Sequence, residues 1–308
     1  MKKFWNLLKT TFDEYLEDKA PRLGAALAFY AMFALAPLLV VAVAIAGLVL
    51  GNQAAQGQLV GTIAQYTGPK AAETIQGLIE GAWRSGGAGI FATVISFLTL
   101  IVIGSGLFAE LQDALDTIWE VTPRPGKSWG QTIRDRFFQF LLVIGAGIFL
   151  IASVVASTVT AALIATWGST LPGAGWISAG VNFAAPIILF TFLFALIFKF
   201  LPDVDFAWSD VWIGAFATAV LLTIGKYLIS LYLAHSTVAS TYGAAGSLAV
   251  LMLWIYYSAQ ILFLGAEFTQ VYAKHYGHGM RPKADAIPLT EEARAQQGIP
   301  HKGTLKPA

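Results

Sequence analysis

The stretch Ala245–Tyr272, AGSLAVLMLWIYYSAQILFLGAEFTQVY, decides the fold, because it carries one acid, Glu267, and no base. Coiled at about 1.5 Å per residue, it outruns the roughly 30 Å hydrocarbon thickness of a bilayer. Five more stretches share its character: Leu27–Leu50, Gly89–Leu111, Phe137–Thr166, Val181–Leu201 and Trp208–Leu233. A helix satisfies its own backbone hydrogen bonds in oil, and these runs are too long and too uniformly apolar for the alternating strands of a barrel. The sequence therefore predicts an all-α, polytopic membrane bundle of six transmembrane helices over residues 25–275.

Composition agrees. Hydrophobic residues make up 56% of the 308 and charged residues 12%, against about a quarter charged in a soluble domain. The net charge of +1 supplies no field to recruit nucleic acid, and none is expected as a partner. The absence of cysteine excludes disulfides, thiolate metal sites and thiol nucleophiles. Of the four histidines, His275, His278 and His301 lie in or beside the tail and only His235 elsewhere, so no metal site and no cofactor are expected.

Lys/Arg bias orients the bundle. Fifteen of the 19 basic residues fall in residues 1–24, in the connection after the second stretch, and in the tail; Lys70 and Arg84 alone lie on the other side. Both termini are thus expected in the cytoplasm. The opening Met1-Lys2-Lys3 resembles the start of a signal peptide, but Asp13, Glu14, Glu17 and Asp18 follow, so a cleavable leader is not expected. Phe4, Trp5, Leu8, Phe12, Tyr15 and Leu16 share one helical face, which makes residues 1–24 an amphipathic interfacial helix. A helix packed on the protein's own loops is the alternative. In the outer loop 51–88, Ala71, Ala72, Ile75, Leu78, Ile79 and Trp83 repeat at helical spacing after Gly68-Pro69, and predict short helices lying on the interface or capping the bundle. Pro37 and Pro186 should kink the first and fourth helices, and Gly214 is among the glycines offering close helix approach. Residues 276–308, polar and proline-punctuated, read as a disordered cytoplasmic tail.

Several stretches together resemble the YihY/BrkB family of bacterial inner-membrane proteins. They are Ala25-Ala-Leu-Ala-Phe-Tyr-Ala31 followed by Pro37, Leu111-Gln-Asp-Ala-Leu-Asp-Thr-Ile-Trp119, Leu201-Pro202 with Trp212-Ile-Gly214, and Tyr242-Gly-Ala-Ala-Gly-Ser247 with Trp254-Ile-Tyr256 and Leu264-Gly-Ala-Glu267. The resemblance implies a multi-pass protein of the inner membrane but no established reaction. Members have been connected with serum resistance and with export of envelope lipids, and an older ribonuclease name is an error of assignment.

Ionisable groups inside a span cost on the order of 2.5–3.5 kcal/mol on insertion scales, so each asks for a reason. Glu110, Lys199 and Glu267 fall at one depth near the inner ends of their helices, where they are read as an inner vestibule or gate. Snorkelling or structural pairing is the competing reading. Trp254, Tyr256 and Gln260 are candidate cavity-lining residues, against plain aromatic packing. Arg124, Arg134 and Arg136, near Asp113, Asp116 and Glu120, are candidate contacts for lipid head groups, against a solvated loop.

Ribonuclease chemistry would need gathered acids, histidines or metal ligands in an aqueous site, and the sequence offers no such motif, so an enzyme is not expected. A phosphate loop is absent: Gly225-Lys226 lies in an apolar run and position 220 is Val220. Two readings stand. One is a transporter or flippase of a lipid or amphipathic envelope component, not ATP-driven by itself. The other is a non-catalytic scaffold or accessory subunit of an envelope membrane complex. Membrane lipids and envelope-assembly membrane proteins are the expected partners, and the oligomeric state is not read from the sequence.

Overall fold

The computed structural model describes residues 2–50, 56–57, 59–61, 63–64, 69–86, 90–124, 145, 174–235 and 245–299. The described elements are α1 (Lys2–Glu17), α2 (Ala20–Leu50), α3 (Pro69–Gly86), α4 (Ile90–Ile118), β1 (Val121–Pro123), α5 (Ala174–Phe200), β2 (Val204–Phe206), α6 (Trp208–His235), α7 (Gly246–His275), β3 (Met280–Pro282), β4 (Ala286–Pro288) and α8 (Glu291–Gln296). Among the described residues, four helical segments are long and apolar enough to cross a bilayer: Ala20–Val43, Phe183–Phe200, Trp208–Tyr232 and Gly246–His275. α4 covers the second predicted stretch as one helix. The third, Phe137–Thr166, lies outside the described residues except for Gly145.

The helices pack in the order α4–α2–α7–α6–α5, with α1 and α3 also seated on α7. Their outer surface is the strongest sign of the surrounding medium. Val102 is 72% exposed, Ile188 68% and Leu231 60%, and a water-soluble monomer does not carry a belt of that kind. Trp208 and Trp212 stack beside Phe200 and Phe192, with ring centroids 5.9–6.4 Å apart, as aromatic residues do at a membrane–water boundary.

In oil, helices gain little from apolar burial, so close contact needs small residues. α6 and α7 meet this with two reciprocal notches. A Cβ on Gly214 would overlap the Thr269 side chain, and one on Gly265 would overlap Thr218. Each threonine donates its hydroxyl to a carbonyl of its own helix, Thr218 to Gly214 at 2.8 Å and Thr269 to Gly265 at 2.7 Å, so the polar atom nearest each notch is satisfied within its own helix.

α3 caps one end of the bundle. Pro69 occupies its first position, where no amide is required. Ala71, Ile75 and Ile79 are buried against Leu39 and Val43 of α2 and Val250 and Leu251 of α7. Of the two positions expected for this loop helix, the structure has the capping one.

The other end, termed the base, is held by the residues expected as a disordered tail. Residues 276–299 are ordered. β4 pairs antiparallel with β1, matching Val121 to Pro288, and β3 pairs with β2, matching Val204 to Pro282. α8 follows, capped by the Thr290 hydroxyl accepting the Ala293 amide at 3.3 Å. The segment is polar, yet it docks because it buries Ala286, Arg294 and Ile299 at 3–5% exposure. Two non-glycine residues in left-handed backbone shape the base: Lys19 (φ 54°) ends α1, and Glu120 (φ 57°) turns the chain from α4 into β1. Such residues persist where neighbours fix them. The Lys19 ammonium donates to the Gly298 carbonyl, and the Glu120 carbonyl accepts the Leu289 amide at 2.8 Å.

α1 has two apolar faces. Tyr15 and Leu7 point inward, while Phe4 (62% exposed), Trp5 (69%), Leu8, Phe12 and Leu16 point out. Tyr15 therefore leaves the outward face on which the spacing placed it.

Candidate functional site

The basal half of α7 holds the least expected packing. Glu267, Thr269 and Gln270 are fully buried, at 0% exposure. Around them, the end of α4 is tied to α7 by two bonds: Gln270 Nε2 donates to the Ile118 carbonyl at 2.6 Å, and Trp119 Nε1 donates to the Ala266 carbonyl at 3.1 Å. The first satisfies a carbonyl that the end of α4 leaves without a helical partner. Trp119 is itself enclosed edge-on by Phe198 and Phe206, at 5.7 and 5.0 Å.

Glu267 has no such tie. Neither of its carboxylate oxygens meets a hydrogen-bond partner among the described residues, nor does Gln270 Oε1. The charges that reach Glu267 are Asp18 and Glu14 from the N-terminal region, Glu120 from the end of α4 and Lys274 of α7. Lys274 is turned to Glu120, at 3.2 Å. Tyr15, buried beside Tyr256 and Glu267, has its hydroxyl pushed up to about 12, first by burial. That hydroxyl is hydrogen-bonded to Gln260, which in turn fills the space opposite Gly24 of α2.

Below this layer a buried ion pair closes the base. Arg294 Nη2 of α8 donates to Asp18 Oδ1 at 2.9 Å and lies 3.8 Å from Glu17 Oε1. Asp18 is pushed up to about 7, because burial outweighs the pull of Arg294. Arg22 Nη2 adds a bond to the Gln297 carbonyl at 3.1 Å. At this depth Glu267 is fully enclosed, faced by Glu14 of α1 and Asp18 of the α1–α2 turn.

The three residues read as one gate are not brought into contact with one another. Lys199 Nζ donates to the Phe206 carbonyl at 2.7 Å, lies 3.6 Å from Asp205 and sits over the Trp208 ring. These contacts tie the end of α5 to β2 and the start of α6. Glu110 is half-buried on α4, and its neighbouring charge is Asp113. The cavity trio divides as well. Tyr256 and Gln260 face α1 and α2, whereas Trp254 lines a separate groove with Phe183, Pro186, Phe190, Leu222 and Lys226. That groove is shallow, with a cavity volume of about 30 Å³. Arg124 is exposed, and its backbone amide donates to the Asp285 carbonyl at 2.9 Å; Arg134 and Arg136 lie outside the described residues. The acids grouped with them divide: Asp113 is exposed, Glu120 half-buried and Asp116 buried. Asp116 is buried, accepts the Asp203 amide at 2.7 Å, and is pushed well up by burial.

Sequence reasoning singled out Glu267 but missed Asp18, Arg294, Gln270 and the inward Tyr15. Thr290 before two acids was a legible helix start. Nothing in the sequence announced that this helix would deliver an arginine to Asp18.

Residues 11–288 match the family described as Virulence factor BrkB. Curated relatives named "UPF0761 membrane protein" include one from Albidiferax ferrireducens, 27% identical over 84% of this chain and 60% of the relative. Another, from Azotobacter vinelandii, is 25% identical over 86% of this chain and 62% of the relative. A third, from Tolumonas auensis, is 28% identical over 58% and 56%. The chain thus spans about three fifths of the length of these relatives. No solved structure matches. An apolar helical bundle with a lipid-facing belt, together with a match over most of its length, makes this chain a member of the BrkB family of membrane proteins.

Proposed function

We propose that the protein moves a lipid or an amphipathic envelope component across the bacterial inner membrane, with six spans and both termini in the cytoplasm, and without hydrolysing ATP itself. The observation that carries this reading is the groove between α5, α6 and α7. Its walls are Phe183, Pro186, Phe190, Leu222 and Trp254, and one ammonium, Lys226, stands in it. Lys226 lies near the end of α6 away from the base, so an acyl chain along the walls would place an anionic head group toward one membrane boundary. Pro186 cannot donate to the Asn182 carbonyl, which leaves α5 one bond short where it borders the groove. The exposed Phe4, Trp5 and Phe12 of α1, next to Lys2, Lys3 and Lys9, suit a helix lying on an anionic leaflet.

Proteoliposomes test the reading. Purified protein should accelerate the transfer of a fluorescent anionic phospholipid between leaflets, with or without a pH gradient. Lys226→Met should slow that transfer several-fold while leaving a zwitterionic lipid less affected. Transfer equal to that of empty vesicles would remove the proposal.

A scaffold or accessory subunit is the second reading. It is favoured by the capped end of the bundle, where α2, α3 and α7 meet through an apolar cluster of Leu39, Val43, Ile75, Ile79, Val250 and Leu251. Proteoliposomes would then show no transfer, and the protein would co-purify with a second membrane protein.

A further inference from the structure

We propose that the basal half of α7 holds a site for one monovalent cation, a proton or an alkali-metal ion, with Glu267 as its anionic ligand. An ionised carboxylate in an apolar interior costs several kcal/mol unless a donor or a cation compensates it. Glu267 is fully buried, and among the described residues neither oxygen has a hydrogen-bond donor. The two cations of this region are each paired with another acid: Arg294 Nη2 holds Asp18 at 2.9 Å and Lys274 holds Glu120 at 3.2 Å. Among the described residues, Lys274 is the one basic side chain that acts on Glu267, and it makes no hydrogen bond to it, so the site has room for a further positive charge.

The surroundings select its class. Gln270 Oε1 is a second fully buried oxygen without a donor among the described residues, and it lies three positions along α7, on the same face as Glu267. One carboxylate with neutral oxygens balances a single positive charge, and hard oxygen ligands suit a proton or an alkali ion. Among the described residues, no group of three or more His, Cys, Asp or Glu side chains is placed to hold a metal ion, which argues against a divalent cation. The charged and titratable groups facing the site are Glu14 and Tyr15 of α1, Asp18 of the α1–α2 turn, Glu120 at the end of α4, Lys274 of α7, and Arg294 of α8 through Asp18. A cation entering from the base would have to pass the Asp18–Arg294 pair.

The inference rests on the membrane-bundle reading and not on what is transported, so its test measures binding. The full chain in lipid nanodiscs is compared in sodium, potassium and choline chloride at equal ionic strength, and by infrared difference spectroscopy from pH 4 to 9. A carboxylic-acid carbonyl band that titrates and is lost in Glu267→Gln identifies the ligand as a proton. A thermal midpoint raised by sodium or potassium over choline, with the rise abolished in Glu267→Gln, identifies an alkali ion. Glu267→Asp, which keeps the charge and shortens its reach, should shift the band or weaken the salt response several-fold. The salt comparison on the unaltered protein needs no variant to fold. Equal midpoints in all three salts, with no titrating carboxylic-acid band, overturn the proposal.

Discussion

The two halves of α7 are packed by opposite rules, and the basal half is the more enclosed of the two. Near its start, Val250 and Leu251 join Leu39, Ile75 and Ile79 in a wholly apolar cluster; near its end, Glu267, Thr269 and Gln270 are just as inaccessible. In a bilayer the first arrangement costs nothing to insert, since lipid tails are as apolar as leucine. The second carries an acid and amides whose insertion is penalised. Shape complementarity is enough to explain the apolar half. In the polar half Thr269 and Gln270 are accounted for by the α6 notch and the tie to Ile118, and Glu267 is the group left without a hydrogen bond among the described residues.

That contrast can be broken by mutation. The largest expected effect is Arg294→Ala, which strands buried Asp18: a loss of about 3–5 kcal/mol, as for other buried pairs missing one partner. Thermal unfolding in detergent should show it, and Asp18→Asn in the same chain should restore part of the loss. Next is Gly265→Leu. The added side chain meets Thr218 across the α6–α7 seam, and overpacking of this kind costs about 1–3 kcal/mol; unchanged unfolding would mean the helices are not so closely seated.

A smaller effect follows from pH. The Asp18 carboxyl is raised from 3.8 to about 7 in the folded chain, so its protonated form favours the docked state. Its contribution is complete below about pH 4 and is lost as pH rises through 7. The thermal midpoint should therefore fall across that window, Asp18→Asn should flatten the fall, and Arg294→Ala should be more damaging at pH 8 than at pH 5. Smallest of all is Val102→Ala on the lipid-facing surface, where Val102 is 72% exposed. A change within about 0.5 kcal/mol is expected there, and a larger loss in detergent would mean that a partner or a second copy covers that face.

The medium was legible from the first apolar stretch, because hydropathy over some twenty residues is a local property. So was α3, whose spacing of Ala71, Ile75 and Ile79 matched the face it buries. Glu267 stood out as a lone acid in an apolar run. Its neighbours did not, since Asp18 and Arg294 are separated by most of the chain and meet only through tertiary folding. Placing Glu110, Lys199 and Glu267 at one depth was reasonable along the membrane normal, but depth does not fix azimuth: Lys199 is turned to Phe206 and Asp205. The tail was misread for a related reason. Its composition is that of a solvated segment, while its ordering comes from strand pairing with β1 and β2 and from one buried arginine.

The central claim is that Glu267 is kept for what it binds and not for the stability of the bundle. The most direct measurement is the thermal midpoint of the Glu267→Gln protein in lipid nanodiscs containing choline as the only monovalent cation salt. The account predicts a midpoint equal to or above that of the unaltered protein, because the Glu267 carboxyl, protonated or ionised, has no hydrogen-bond partner among the described residues to lose. A midpoint lowered by several degrees would contradict it and would make Glu267 a structural residue.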